Sequence, residues 1–277
     1  MLNSHEVTIK KSCVKFGLPG FSRKSAAPPR CCRTSAAAFV VGRFVGLLPV
    51  FCTGGSHQTP KPSYTGIFHF NKIGFMKLYY SAGACSLAVH MTLREANLTF
   101  ELVAAPTKTH QLADGTDYYS INPLGYVPML ELDDGVRLTE GPAIVQYIAD
   151  QVPEKSLAPA NGTVARAQMQ GWLNFSSSEL HKGFAPLFNP ATPADYKPMV
   201  TAKLISRLQW VDTQLAGKQY LLGDDFSVAD LYLFNVTNWA PLVKVDISGM
   251  TNIAAFRERI KTRPAVLAAM KAEGLIR

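Results

Sequence analysis

The chain has 277 residues, 47% of them hydrophobic, with a formal net charge of +8 and five cysteines. That length holds one large domain or two small ones, with ample apolar material for a core. The charge is unevenly spread: residues 1–75 carry ten Lys/Arg and a single acid, Glu6, whereas residues 76–277 carry 18 basic and 19 acidic side chains, a near-neutral balance that argues against a nucleic-acid-binding surface.

Residues 1–75 are rich in Ser, Gly, Pro and basic side chains and keep no helical or strand period. Three readings stay open. An Arg- and Ser-rich, acid-poor start resembles an organelle transit peptide. Basic residues ahead of Ala36–Phe51 loosely resemble a signal peptide, although Arg43 breaks the apolar stretch. The plainest reading is a disordered extension without a function, translated from upstream of a start at Met76. No stretch reaches the roughly 20 apolar residues of a spanning helix. Four cysteines (Cys13, Cys31, Cys32 and Cys52) fall in this region, leaving Cys85 alone in the remaining 202 residues. A core that folds without crosslinks fits a reducing compartment, so a cytoplasmic protein is expected.

From Met76 the pattern sharpens into alternating strands and helices. Lys77–Tyr80 reads as a strand, and Cys85–Ala96 has amphipathic helical spacing through Leu87, Val89, Met91 and Leu93. Phe100–Ala104 is a second strand and Tyr118–Ile121 a helical turn. Val127–Leu132 and Val136–Leu138 form a hairpin around Asp133-Asp134-Gly135. Pro142–Ala149 is a helix, and a breaker-rich linker runs from Gln151 to Gly162. Beyond it only helices are expected, over Val164–His181, Ala194–Leu215, Ser227–Leu242, Ile253–Arg263 and Ala265–Ala272. A small sheet with helices on its faces, followed by an all-helical domain, is the fold class implied.

Five motifs stand out. Cys85 opens a helix, where unpaired N–H groups and the helix dipole favour thiolate, the reactive form. It has no CxxC partner, since Ala82 and Ala88 hold those spacings, so a resolving thiol must come from outside the motif. Pro128 interrupts a strand-like run, where it cannot donate to the ladder. Glu140-Gly141 precedes a helix; a first-turn acid there is worth about 0.3–1 kcal/mol, and the helix end also binds anions. Ser227-Val-Ala-Asp230 has the form of a capping box. Asn174, Ser178 and His181 are spaced to share one helix face, with Lys182 next. No metal-ligand spacing, phosphate loop or dinucleotide fingerprint is evident.

Together the stretches Gly83-Ala-Cys-Ser-Leu-Ala88, Asn122-Pro-Leu-Gly-Tyr-Val-Pro128, Leu138-Thr-Glu-Gly-Pro-Ala-Ile144, Glu179-Leu-His-Lys-Gly-Phe184 and Phe226-Ser-Val-Ala-Asp230 resemble a glutathione transferase of the bacterial beta class. The resemblance covers Met76 to Arg277. It implies a thioredoxin-like, glutathione-binding domain over 76–156 and a helical domain over 163–277. It also implies a cis Pro128 opening an edge strand, with the Val127 backbone pairing with glutathione's cysteinyl unit by strand addition. Glu140 and Gly141 would receive the γ-glutamyl end. His181, positive or hydrogen-bonding, would face Cys85 across a cleft, with Lys182 adding charge and Ser86 donating its hydroxyl to the sulfur. Asn174 and Ser178 would meet the tripeptide's polar groups.

One departure shows: a lysine commonly contacts the glycine carboxylate of glutathione, and the closest match is His110, with Lys108 nearby. Phe184, Phe188 and Trp239 are the expected wall for a small hydrophobic electrophile. The implied activity is detoxifying conjugation of glutathione, together with thiol–disulfide exchange through a Cys85 mixed disulfide. A glutathione-dependent disulfide or dehydroascorbate reductase, and a non-catalytic glutathione-binding carrier, are the alternatives. Glutathione would be co-substrate rather than cofactor, and a homodimer with no nucleic-acid or membrane partner is implied.

Overall fold

The computed structural model describes residues 74–277; the three readings of residues 1–75 fall, but for the last two residues, outside the described residues. Four short strands form one mixed sheet in the order β2-β1-β3-β4: β1 is Met76–Tyr80, β2 Phe100–Ala104, β3 Met129–Glu131 and β4 Arg137–Leu138. β1 runs parallel to β2 and antiparallel to β3. β3 is therefore an interior strand, paired on both sides, not the edge strand expected after Pro128. Pro128 avoids the ladder by standing just before it. The Val127–Pro128 peptide is cis, as expected.

Both sheet faces are buried, and alternation along β1 and β3 sorts their side chains. Leu78 and Leu130, paired in register, point into the main core, while their neighbours Tyr79 and Met129, also paired, join Tyr118 and Val127 in a smaller cluster on the other face. Helix α1 (Ser86–Glu95) has eight buried residues and lies against α2 (Gly141–Gln151), α6 (Val228–Thr237) and α8 (Pro264–Ala272). All ten residues of α6 are buried, as befits a helix apolar on nearly every side. The main core runs without a break from the sheet through α1 and α2 into α6 and α7 (Thr251–Lys261), and joins the thioredoxin-like unit to the helical one. No helix of the described residues is long and apolar enough to cross a membrane.

The long helix expected over Val164–His181 is divided. α3 spans Val164–Phe175, a π-helical turn follows over Ser176–His181, and α4 runs on from Lys182 to Phe188, with Pro186 inside it. A π turn takes one residue more than an α turn. The seven-residue step from Asn174 to His181 therefore no longer closes two turns. Asn174 and Ser178 are exposed, with the Ser178 hydroxyl donating to the Asn174 carbonyl (2.9 Å), whereas His181 is half-buried and packs edge-on against Trp239 (4.9 Å). The predicted shared face does not form. α5 covers Tyr196–Leu215.

Candidate functional site

The site begins with the five residues between β1 and α1. The Ser86 hydroxyl donates to the Ser81 carbonyl (3.1 Å) and accepts from the Ser81 N–H (3.2 Å). It is fully buried and wholly used in closing this turn, so it is not the sulfur donor expected. Gly83 takes φ +71°, and Leu275 packs where a side chain would begin. Three side chains from the helical part then hold the loop. Glu273 accepts from the Gly83 N–H (2.9 Å), the Trp239 indole N–H donates to the Gly83 carbonyl (2.8 Å), and the Asn235 amide donates to the Ala84 carbonyl (3.0 Å). Glu273 is anchored in turn by His90 Nδ1 (2.8 Å), and Arg94 donates to the other ring nitrogen (2.8 Å). The sulfur-bearing residue thus stands on a rigid platform.

Cys85 caps α1, and its thiol donates to the Val127 carbonyl at 3.0 Å. Burial pushes the thiol up to about 11. The N–H groups of Cys85 and Ser86 and the charge of Lys182 pull the other way, and Glu140 pushes with the burial. The helix-end effect expected from the sequence is therefore present but loses to desolvation. In the unliganded protein Cys85 is a thiol that donates a hydrogen bond, not a thiolate.

The segment preceding Pro128 is held for backbone presentation. Asn122 and the Tyr118 hydroxyl both donate to the Tyr126 carbonyl (2.8 and 2.9 Å). Gly125 sits at φ +65°, and a Cβ there would come within 2.6 Å of Tyr119 and 3.0 Å of His110. Val127 follows, buried, with its N–H donating to no acceptor among the described residues. His110 stacks on Tyr119 (4.5 Å), and its Nδ1 is buried without a partner. Its ring supports the loop that carries Val127. Lys108 is exposed on the same loop.

Glu140 is exposed and caps α2 at φ +65°, ψ +104°, with no side-chain capping bond. A non-glycine residue with positive φ is uncommon and costs of order 1–3 kcal/mol, and such strain gathers at functional sites. Gly141 behind it is buried. A Cβ there would stand 3.1 Å from the Tyr232 ring and 3.6 Å from Pro128.

On the helical side, the His181 Nδ1 lies 3.0 Å from the Tyr232 hydroxyl. Burial first, and Lys182 second, hold the imidazole down to about 4. His181 is thus neutral at pH 7, a hydrogen-bonding group and not the positive one that the sequence also allowed. Lys182 is exposed, its ammonium 6.0 Å from the Tyr126 ring centre. Phe188 is half-exposed and edge-on to Trp239 (5.8 Å), but Phe184 is fully buried in the core and forms no wall.

The structure therefore gathers Cys85, Val127, Pro128, Glu140, Gly141, His181 and Lys182, leaves Ser86 inside its turn, and sets Asn174 and Ser178 on an exposed face. Sequence reasoning missed Tyr232, Asn235 and Glu273. The signal for the first two was a polar residue every few positions in a run otherwise apolar enough to be central. Glu273 had no local signal. Among the described residues no cluster of metal-ligating side chains occurs.

The family model described as "Glutathione S-transferase, N-terminal domain" matches residues 82–151, and its C-terminal counterpart matches residues 175–264. The chain is 48% identical over 200 residues to "Glutathione S-transferase GstA" of Escherichia coli O157:H7, covering 72% of this chain and 100% of that one. Among solved structures, a ternary complex of BphK, a bacterial GST, is 56% identical over 72% of this chain and 99% of its own, with a TM-score of 0.70. A sphingomonad glutathione S-transferase complexed with glutathione is 44% identical over 72% of this chain and 100% of its own, also with a TM-score of 0.70.

Proposed function

Because the chain belongs to the glutathione S-transferase family, in its bacterial beta class, we propose that the cluster around Cys85 is its glutathione site and that residues 76–156 and 163–277 are its two functional domains. The chain is a glutathione transferase. The observation that carries the site is the meeting, within one small region, of the Cys85 sulfur 3.0 Å from the Val127 carbonyl and an unpaired, left-handed Glu140 at the mouth of α2. The tripeptide's cysteinyl backbone pairs with the open N–H of Val127 and with its carbonyl, which also accepts from the Cys85 thiol, a short strand addition. Its γ-glutamyl ammonium meets Glu140 and its carboxylate the Gly141 N–H at the start of α2. Lys108 is the free cation on the loop available to the glycine carboxylate, since His110 is occupied in packing. Asn174 and Ser178 contribute polar contacts from the exposed face of α3 and the π turn.

Two steps follow. In conjugation, the bound glutathione thiol loses its proton to solvent. The thiolate attacks an electrophilic carbon, a C–S bond forms, and the leaving group departs with its electron pair. The Cys85 thiol and His181 stabilise the attacking sulfur as hydrogen-bond donors, and Lys182 adds a positive field. A small hydrophobic electrophile lies against Phe188 and Trp239. In disulfide exchange, the Cys85 thiolate attacks the glutathionyl sulfur of a mixed disulfide and releases the other thiolate. A second glutathione thiolate then attacks the Cys85 adduct, leaving as oxidised glutathione and restoring Cys85. Because burial raises the Cys85 thiol to about 11, only a small fraction of it is thiolate at pH 7. The protein acts as a homodimer in the cytoplasm, with glutathione as co-substrate.

Replacing Cys85 by Ala tests the reading. Disulfide exchange, assayed with a glutathione mixed disulfide, should disappear, while conjugation of a chloronitrobenzene survives within about tenfold (about 1.4 kcal/mol). Retention of both activities would remove Cys85 from the site. Absence of conjugation by the wild-type protein, with exchange intact, would favour the reductase.

A further inference from the structure

Tyr232 sits in the middle of α6, 2% exposed, with its hydroxyl 3.0 Å from His181 Nδ1. Nothing in the chemistry above uses it. Its ring also closes the space behind Gly141, at 3.1 Å from where a side chain would start, so one residue touches both the glutathione end of the site and the imidazole. The imidazole plane is fixed independently by Trp239, edge-on at 4.9 Å, and Trp239 is itself tied to the Gly83 carbonyl. His181 therefore has one hydrogen-bond partner and one orientation. Its Nε2 bonds to nothing among the described residues.

We infer that Tyr232 is a positioning residue of the transferase reaction, donating its hydroxyl proton to His181 Nδ1 and thereby placing the imidazole's single N–H on Nε2, free for the ligand's sulfur. The inference rests on the reading of the Cys85 cluster as the glutathione site.

The physical chain is short. A neutral imidazole has one donor and one acceptor nitrogen, and the partner of one nitrogen decides the role of the other. Tyr232 remains a phenol at all relevant pH, because burial raises it and the charge of Glu140 raises it further. His181 is neutral because burial and Lys182 hold its proton affinity down. A phenol facing a neutral imidazole nitrogen has two choices. It can donate to that nitrogen, or accept from it while sending its own proton to the neighbouring Ser177 hydroxyl. The first makes Nε2 a donor suited to a developing thiolate. The second leaves Nε2 a bare base. The groups that face this pair are Cys85 and Glu140 from the sheet side, Lys182 at the start of α4 and Ser177 in the π turn. A donor is the choice that strengthens as negative charge grows on sulfur.

Nitrogen NMR of full-length protein labelled at histidine, with the His181 signal assigned by its loss in a His181→Gln variant, reads the tautomer directly. The expected wild-type result is a bare Nδ1 and a protonated Nε2 at pH 7. Tyr232→Phe, which keeps the ring and removes the hydroxyl, should give a mixture of tautomers. In the chloronitrobenzene assay it should lower kcat by about tenfold or more, with KM for glutathione changed less than about twofold (under about 0.5 kcal/mol). A protonated Nδ1 in the wild type, or an unchanged kcat in Tyr232→Phe, overturns the inference. The wild-type spectrum decides alone if the variant does not fold. A wild-type protein that shows the expected tautomer but no conjugation leaves the positioning geometry intact and sinks the transferase site instead.

Discussion

The N-termini of α6 and α2 each carry an acid, and they use it in opposite ways. At α6, Asp230 accepts from the N–H of Ser227 (2.8 Å), the hydroxyl of Ser227 (3.1 Å) and the N–H of Leu221 (2.8 Å), and the capping box closes on itself with Asp230 and Ser227 fully buried. At α2, Glu140 makes no side-chain capping bond, stands in solvent and holds a left-handed backbone. The first acid satisfies its own helix and is finished. The second leaves the helix end open and stays unpaired at a cost in backbone strain. Local chemistry alike in type thus separates into a stability device and a binding device according to whether neighbouring chain covers it.

Mutating the two acids should break the pair apart. Asp230→Ala removes three buried acceptor contacts and leaves two N–H groups without partners. It should cost about 3 kcal/mol of stability, read from the urea midpoint, with KM for glutathione unchanged in whatever folds. Glu140→Gln should do the reverse. Loss of one charge-assisted contact weakens glutathione binding by about 1.5–3 kcal/mol, roughly ten- to a hundredfold by calorimetry, while stability changes by less than about 1 kcal/mol. A Glu140 variant that unfolds the protein, or an Asp230 variant that selectively loses glutathione, would erase the distinction.

The same contrast sharpens through pH. Burial raises Asp230 to about 6, against the opposing pull of its hydrogen bonds, whereas its unfolded value is about 3.9. The folded state then holds the proton more firmly than the unfolded one. The stability this contributes is fully present below about pH 4 and is lost as pH rises through about 6. The stability of the wild type relative to Asp230→Asn should therefore fall between pH 4 and 6. A difference that stays flat over this range would mean that burial does not set the ionisation of Asp230.

The same competition explains where sequence reasoning succeeded. The strand and helix periods, the Asp133-Asp134-Gly135 turn and the Ser227–Asp230 box are local, because backbone sterics and short-range hydrogen bonds within a few residues dictate them. The position of Cys85 at a helix start was legible for the same reason. Its ionisation was not. The helix-end field belongs to the local chain, but the desolvation that outweighs it comes from burial in the folded protein, where the thiol meets a carbonyl 42 residues away. For His181 the residue type left a positive or a hydrogen-bonding imidazole open, and burial with Lys182 decided for the neutral one. The π turn that rotated it from Asn174 and Ser178 has no signature in apolar spacing, because one extra residue in a turn leaves hydrophobic positions on either side regular. Ser86 looked free for the sulfur because its bond to Ser81 depends on how the β1–α1 turn closes.

By itself, then, the order of residues settled most of the elements, the closed cap of α6 and the motifs that place this chain among the glutathione transferases. Long-range packing alone decided which groups are charged and which are spent, bringing Glu273, 190 positions on in the sequence, to the Gly83 N–H and Tyr232 to His181. The physical reason is range. Backbone conformation and capping energies act over a turn or two, whereas desolvation and hydrogen-bond partnership depend on every atom that folding brings near.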